Sequence, residues 1–243
     1  DRMTPTADRV IPRLIPDVGF HQNHYAAALD FEIRRDVDWL DLGAGSQLHD
    51  GFGVISPERL ARRARRLIGA DPVTGHLKTN SCLTNAVGAM GDALPFPDAS
   101  FDVVTANMVV EHLAAPDRVF GEVARVLRPD GVFIFVTPNL NHPFIRAAWL
   151  LLTQQRRTAA AVRVERRDPA HVFPTFYRAN TPGQIAKLAR RTGFREARVV
   201  VHRNIPFFRR PILLTVLECL MIRATRWRPL RGLGADLVGV LRR

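Results

Sequence analysis

Short apolar runs alternate with helical patterns along most of this chain, the order expected of a parallel sheet built from βαβ units. Val37–Leu42 reads as a first strand that ends in a glycine-containing turn. Pro57–Leu67 reads as a helix, with Ser56 as N-cap and Pro57 at its first position. Leu67–Ala70 makes a short second strand ending at Asp71, Ala86–Met90 a third, and the β-branched run Phe101–Ala106 a buried fourth. Pro116–Leu127 is an amphipathic helix stopped by Pro129-Asp130-Gly131, and Val132–Val136 follows as the most apolar strand. Pro182–Thr192 forms a helix closed by Gly193, and Arg198–His202 a sixth strand. Pro211–Trp227 is helical and apolar with arginines at both ends, and Ala235–Leu241 is a last short strand. Near the start, Phe20–Leu29 reads as one more helix. No internal repeat or low-complexity segment interrupts the series.

Composition agrees with a folded α/β chain. At 243 residues it can form one large domain, and 47% hydrophobic with 24% charged residues is the balance of a folded soluble protein. Cys82 and Cys219 lie far apart without metal-ligand spacing, so neither a disulfide framework nor a metal centre is expected, and a reducing compartment fits. Asp1–Pro16 is polar and proline-broken and lacks the apolar core of a signal peptide, which points to a cytoplasmic location. The apolar stretch Ile212–Leu217 is cut by Glu218, short of the roughly 20 apolar residues that a membrane span needs. The net charge of +12 is spread unevenly: residues 1–141 hold 14 Lys+Arg against 18 Asp+Glu, and residues 142–243 hold 21 against 5. Such asymmetry predicts that one face meets something anionic.

The chemistry-bearing motifs cluster after the first strands. In Trp39-Leu40-Asp41-Leu42-Gly43-Ala44-Gly45-Ser46 a strand runs into a tight turn whose glycines let backbone amides approach a ligand. In Ile68-Gly69-Ala70-Asp71-Pro72 an acid ends the second strand, where it can accept from both ribose hydroxyls of a nucleoside. In Gly91-Asp92-Ala93-Leu94-Pro95-Phe96 a carboxylate can accept from the exocyclic amine of adenine above the apolar Leu94, or can serve as a turn cap.

Together with Ser100-Phe101-Asp102-Val103-Val104, Asn107-Met108-Val109-Val110-Glu111-His112-Leu113 and Arg125-Val126-Leu127-Arg128-Pro129-Asp130-Gly131, these motifs resemble the class I S-adenosylmethionine-dependent methyltransferases over residues 37–137. The resemblance implies a Rossmann-like sheet of seven strands, mostly parallel, with helices on both faces and an antiparallel last strand. The apolar stretch then becomes a helical insertion between strands six and seven. It implies S-adenosylmethionine as cofactor, held by Asp41, Gly43, Ala44, Gly45, Asp71, Pro72, Asp92, Ala93, Leu94 and Asn107. The single domain divides into an N-terminal cap (1–36), a donor-binding core (37–137), an acceptor-side lid (138–181) and a last section (182–243). Two positions depart from the family pattern: Gln47 stands near the usual third glycine, and Pro129-Asp130-Gly131 replaces a Pro-Gly-Gly turn. A nicotinamide dehydrogenase would need a further glycine in the first loop and has no use for Asp92 or Glu111-His112.

Methyl transfer from a sulfonium is an in-line displacement that needs alignment and a water-poor pocket, and a base only where the acceptor must lose a proton. Active groups should gather beyond the carboxyl ends of the strands. That expectation singles out His112 and His171 as candidate bases, with structural anchoring as the alternative for His112. Gln22, Tyr25, Glu111, Asn139 and Tyr177 are the candidates for the acceptor side. The acceptor expected is a small or lipid-linked molecule. Two apolar stretches bordered by arginines, Phe144–Leu152 and Ile205–Trp227, suit the surface of an anionic membrane, or alternatively packing against each other or a dimer face. Nucleic acid is a poor fit, because the arginines interleave with aliphatics rather than base-stacking aromatics. A catalytically silent scaffold with the same fold, or an RNA methyltransferase, are the other readings.

Overall fold

The computed structural model describes residues 7–49, 54–156, 173–208 and 211–243. In chain order these form α1 (Ala7–Leu14), α2 (His21–Glu32), β1 (Val37–Leu42), α3 (Pro57–Ala61), β2 (Ala64–Ala70), α4 (Thr74–Leu77), β3 (Asn85–Val87), β4 (Phe101–Asn107), α5 (Pro116–Val126) and β5 (Leu127–Pro138). Then come α6 (Pro143–Leu151), α7 (Pro182–Arg191), β6 (Glu196–His202), α8 (Ile212–Ala224) and β7 (Asp236–Arg242).

The strands make one seven-stranded sheet in the order β3-β2-β1-β4-β5-β7-β6. The first five strands pair in parallel. β7 threads between β5 and β6 and runs antiparallel to both. The last strand is thus antiparallel, as the resemblance implied, and α8 with the 3₁₀ turn Arg228–Leu233 lies between strands six and seven.

Strand periodicity sorts the interior into two cores. Leu40, Leu42, Val104, Ala106, Phe133, Phe135 and Leu237 face α5 and α7 through Phe120, Val123, Ile185 and Leu188. Trp39, Leu67, Val103, Ile134, Val136 and Val238 face α2 and α3 through Tyr25, Leu29, Ile33 and Leu60. β1 is buried along its whole length, so its two aspartates need partners or a reason to be neutral. Asp38, at the end of the strand away from the glycine turn, has the partners. Arg65, Arg66 and Arg128 all reach it. Against the cost of burial, these guanidiniums hold its carboxyl down at about 2.

That cluster also explains a boundary the sequence misplaces. The helix expected over Pro57–Leu67 stops at Ala61, and β2 starts at Ala64. Ser56 caps the helix as expected, accepting from the Arg59 amide. But Ala64 and Arg66 pair with Val37 and Asp38 of β1, and the arginines go to Asp38 rather than to a helix face. β5 is likewise longer than Val132–Val136. It begins at Leu127, opposite Phe101, and slips register across Arg128–Gly131, where Asp130 takes a positive φ of 65°.

Candidate active site

All the chemistry-bearing loops leave the carboxyl edge of the parallel strands. After β1, Gly43 and Gly45 both take left-handed φ values, 63° and 47°. The amides of Gly43 and Ala44 point to the Ala70 carbonyl, at 2.8 and 3.4 Å, and Asn80 Nδ2 holds the Ala44 carbonyl at 2.9 Å. The two glycines are needed for different reasons. A Cβ on Gly43 would sit 2.5 Å from Val109 Cγ2, whereas one on Gly45 would meet nothing nearer, among the described residues, than the Gly43 carbonyl at 3.8 Å. Gly43 allows packing; Gly45 leaves the turn open. Gln47 falls in the exposed part of the same loop, and Leu48 after it is buried in the second core.

Asp71, at the end of β2, is buried and accepts from the amides of Gly45 (3.2 Å) and Val73 (2.7 Å). Each carboxylate oxygen retains a lone pair for a further donor. Asp41, in β1, is buried beside it and accepts from Thr105 Oγ1 at 2.5 Å, which itself accepts from Trp39 Nε1 at 2.7 Å. No ion pair with a described residue neutralises Asp41. Burial raises its carboxyl to about 7; the Thr105 bond opposes this and the charge of Asp71 adds to it. Asp92, half-buried, and exposed Ala93 follow β3 one strand further out, in a turn closed by the Ala93 amide on the Met90 carbonyl. Pro72 is exposed next to Asp71, and the Leu94 side chain belongs to the first core.

The cap docks on this edge. Gln22 of α2 and Asn107 at the end of β4 exchange two amide hydrogen bonds of 2.9 and 3.0 Å, and Asn107 also lies 3.4 Å from the Leu48 carbonyl. A residue assigned to the acceptor side and one assigned to the donor side thus meet in one clasp. Tyr25, one turn on in α2, is fully buried in the second core, close enough to Asp41 that burial and this charge hold its phenol protonated. It lies beneath the cap rather than on an open acceptor face.

Beyond β4, Glu111 and His112 occupy a 3₁₀ turn, Val110–His112. Glu111 is buried and accepts from Thr137 Oγ1 at 2.9 Å; Asn180 Nδ2 donates to that same hydroxyl at 2.7 Å. Its backbone carbonyl accepts from the amides of Phe176 and Tyr177, and Tyr177 takes a φ of 51° there. His112 Nδ1 lies 2.9 Å from the Pro174 carbonyl, which can only accept, so Nδ1 carries the hydrogen and Nε2 is the nitrogen left to take a proton. Nε2 is 3.8 Å from Glu111. His112 thus ties the turn after β4 to the segment at Pro174 through Nδ1, with Nε2 facing Glu111. His171 lies outside the described residues. Asn139 is corrected from the acceptor side to a structural part. It is fully buried, and its amide ties the Gly232 and Gly234 carbonyls at 3.0 and 2.6 Å.

Several rim residues escaped sequence reasoning. β7 runs backwards, so its first residue, Asp236, lies at the edge where the parallel strands end, opposite Pro138 and His202. Burial raises its carboxyl to about 8, the charge of Glu111 adds, and a bond from Asn204 opposes. A cavity of about 140 Å³ opens beside it, lined by Asp17, Val18, Gly19, His24 and Val201–Arg203. There the His24 and His202 rings stack at 4.0 Å, and burial lowers both, His202 to about 4. The usable signal was topological: the start of an antiparallel strand shares an edge with the ends of its parallel neighbours.

A sheet of this order, with a glycine turn after β1, an acid closing β2 and β7 inserted antiparallel, is the arrangement of the class I S-adenosylmethionine-dependent methyltransferases. Comparison with known proteins agrees. Residues 40–135 match the family described as methyltransferase domain. The chain is 34% identical over 140 residues to a probable S-adenosylmethionine-dependent methyltransferase of Mycolicibacterium smegmatis, covering 55% of this chain and 51% of that one. It is 30% identical over 141 residues to a malonyl-[acyl-carrier protein] O-methyltransferase of a Methylovorus species, covering 56% and 41%. The chain therefore spans about half the length of the curated relatives it matches. Its fold is that of a solved S-adenosylmethionine-dependent methyltransferase of Mesorhizobium loti, at a TM-score of 0.56 and 18% identity over 89% of this chain and 96% of that one. Residues 40–135 thus carry the likeness to a methyltransferase domain, and the fold is that of solved S-adenosylmethionine-dependent methyltransferases.

The residues present fit the cofactor of that family. Among the described residues nothing crowds Gly45 and no ion pair offsets the charge of Asp41, while Asp71 has lone pairs to spare.

Proposed function

We propose that this protein transfers a methyl group from S-adenosylmethionine to a small-molecule or lipid-linked acceptor. The observation that carries the reading is the Gly43–Gly45 turn, with Asp41 and Asp71 side by side beneath it and the Gln22–Asn107 clasp across its mouth. When bound, S-adenosylmethionine supplies an activated methyl on a sulfonium, ready for in-line displacement. Asp71, fixed under the glycine turn by the Gly45 and Val73 amides, holds the donor's nucleoside end. Asp41 offers negative charge to its cationic end. The clasp and the buried Tyr25 keep water out. His112 Nε2 is the proton acceptor for an acceptor that must lose a proton, and Glu111, pinned by Thr137, positions it. The relative that methylates a malonyl group on acyl-carrier protein supports an acyl-bearing acceptor.

Calorimetry with S-adenosylmethionine, followed by a labelled-methyl assay on cell extracts split into lipid, small-molecule and RNA fractions, tests the proposal. Asp71→Asn removes a charge-assisted acceptor and is expected to weaken donor affinity about tenfold or more. Wild-type protein that binds no donor would leave only a silent scaffold; label confined to the RNA fraction would overturn the acceptor class.

A further inference from the structure

The insertion between β6 and β7 is built inside out. On the inner face of α8, Thr215 and Glu218 are fully buried with Cys219 and Ile222. Glu218 accepts from the amides of Phe207 and Phe208 at 2.9 and 3.0 Å, and Thr215 Oγ1 donates to the Phe208 carbonyl at 3.0 Å. The remaining inner surface packs on Ile11, Leu14, Ile15 and Val18 of the N-terminal cap. The outer face is apolar. Leu213, Leu217 and Leu220 are 66%, 48% and 49% exposed. With exposed Ala224 they recur at i, i+4, i+7 and i+11, which at about 100° per residue keeps them within an arc of about 60°. Polar groups could have taken these outward positions at no cost, yet Thr215 and Glu218 lie on the inner face.

The border of this stripe is cationic. Exposed Arg223, Arg228 and Arg231 follow the last leucine, with Trp227 among them 66% exposed. Arg226 is engaged by Asp17. From Pro211 to Leu233 the only acid is Glu218, and it is buried. Leucines outward, a tryptophan at the edge and arginines beyond it form the pattern of a helix lying in an anionic bilayer surface. Among the described residues no helix is long and apolar enough to cross a membrane. The insertion leaves the sheet at His202 and re-enters at Asp236, both on the rim that carries the candidate site.

We infer that the outer face of α8 docks this protein on an anionic lipid surface, with the strand-end rim turned toward a lipid-borne acceptor. The docking stands on the α8 face alone; only the link to the acceptor rests on the proposed methyltransferase function.

Co-sedimentation of the full chain with phosphatidylcholine vesicles, with and without phosphatidylglycerol, tests it. Binding is expected to the anionic vesicles and to fall at high salt. Leu213→Ser, Leu217→Ser and Leu220→Ser together, or Arg223→Gln, Arg228→Gln and Arg231→Gln together, should each reduce partitioning about tenfold or more. Circular dichroism and donor calorimetry on these variants should match wild type, which separates loss of docking from loss of fold or of donor binding. No binding to anionic vesicles at low salt, or binding unchanged by the leucine variant, would overturn the inference. So would a dimer abolished by the leucine variant in protein that ignores vesicles, since it assigns the face to a second copy.

Discussion

Asp41 lies buried in the central strand, with a threonine hydroxyl as donor and a second carboxylate as neighbour. Burial raises it to about 7, so near neutrality it is poised between its two forms. Below about pH 7 the neutral acid is favoured in the protein alone, and a ligand with positive charge favours the carboxylate. Donor affinity should therefore rise as pH climbs toward about 7 and level off above it, with proton release below that value. Calorimetry in buffers of different ionisation enthalpy reads both effects, and a flat profile with no proton exchange would contradict this role for Asp41. The paired glycines separate in the same way. Gly43→Ala combines positive φ with a clash against Val109, and it should lower stability by about 1–3 kcal/mol in a denaturant titration. Gly45→Ala meets nothing nearer than 3.8 Å among the described residues, so its larger effect should be on donor affinity, with stability lost through its φ, about 1 kcal/mol.

Elements show where local signals were enough and where they failed. The turn after β1 and the acid after β2 were legible because both are local: a strand must end, and only glycine accepts those angles cheaply. The ends of α3 and β5 were not, because distant partners decide them. Arg65 and Arg66 answer to Asp38, and Leu127 pairs with Phe101 across the sheet. Asn139 sits at a strand end, where acceptor residues are expected, yet the carbonyls it holds belong to the segment before β7. α8 read as an apolar helix, but which face turns outward depends on Glu218 and Thr215 tying back to Phe207 and Phe208. Glu218→Ala would strand those two amides at a cost of about 1–3 kcal/mol, concentrated in the insertion. Hydrogen exchange should show faster exchange across α8 and little change in β1 or β4; uniform acceleration would mean the insertion is not an independent unit.

For the whole molecule, buried titrating groups at the rim set the response to pH. His24 and His202 are lowered by burial, so their contribution is intact above about pH 6.5 and fades as pH falls toward the folded value of about 4 for His202. Asp236 acts in the opposite direction. Its carboxyl is raised to about 8 from an ordinary 3.8, so ionising it costs the native state progressively as pH rises through that interval. Asp236→Asn should leave the melting temperature near wild type at about pH 3 to 4, where Asp236 is largely neutral in both the folded and the unfolded chain, and raise it increasingly up to about pH 8. A difference independent of pH would show that Asp236 is already ionised in the native protein. Apart from Glu111, this acidic, imidazole-bearing half of the rim was invisible in sequence because its members come from α2 and the facing ends of β6 and β7.

β6 hydrogen-bonds to β7 and, among the described residues, to no other strand. β5 likewise depends on β7 for its outer edge. During vectorial synthesis, β6 and the insertion that follows it must therefore leave the ribosome without a template, and they wait until Asp236–Arg242 slides in as a wedge between two edges already made. Until then β6 has no strand partner, which makes this interval the point at which a nascent chain most needs a chaperone.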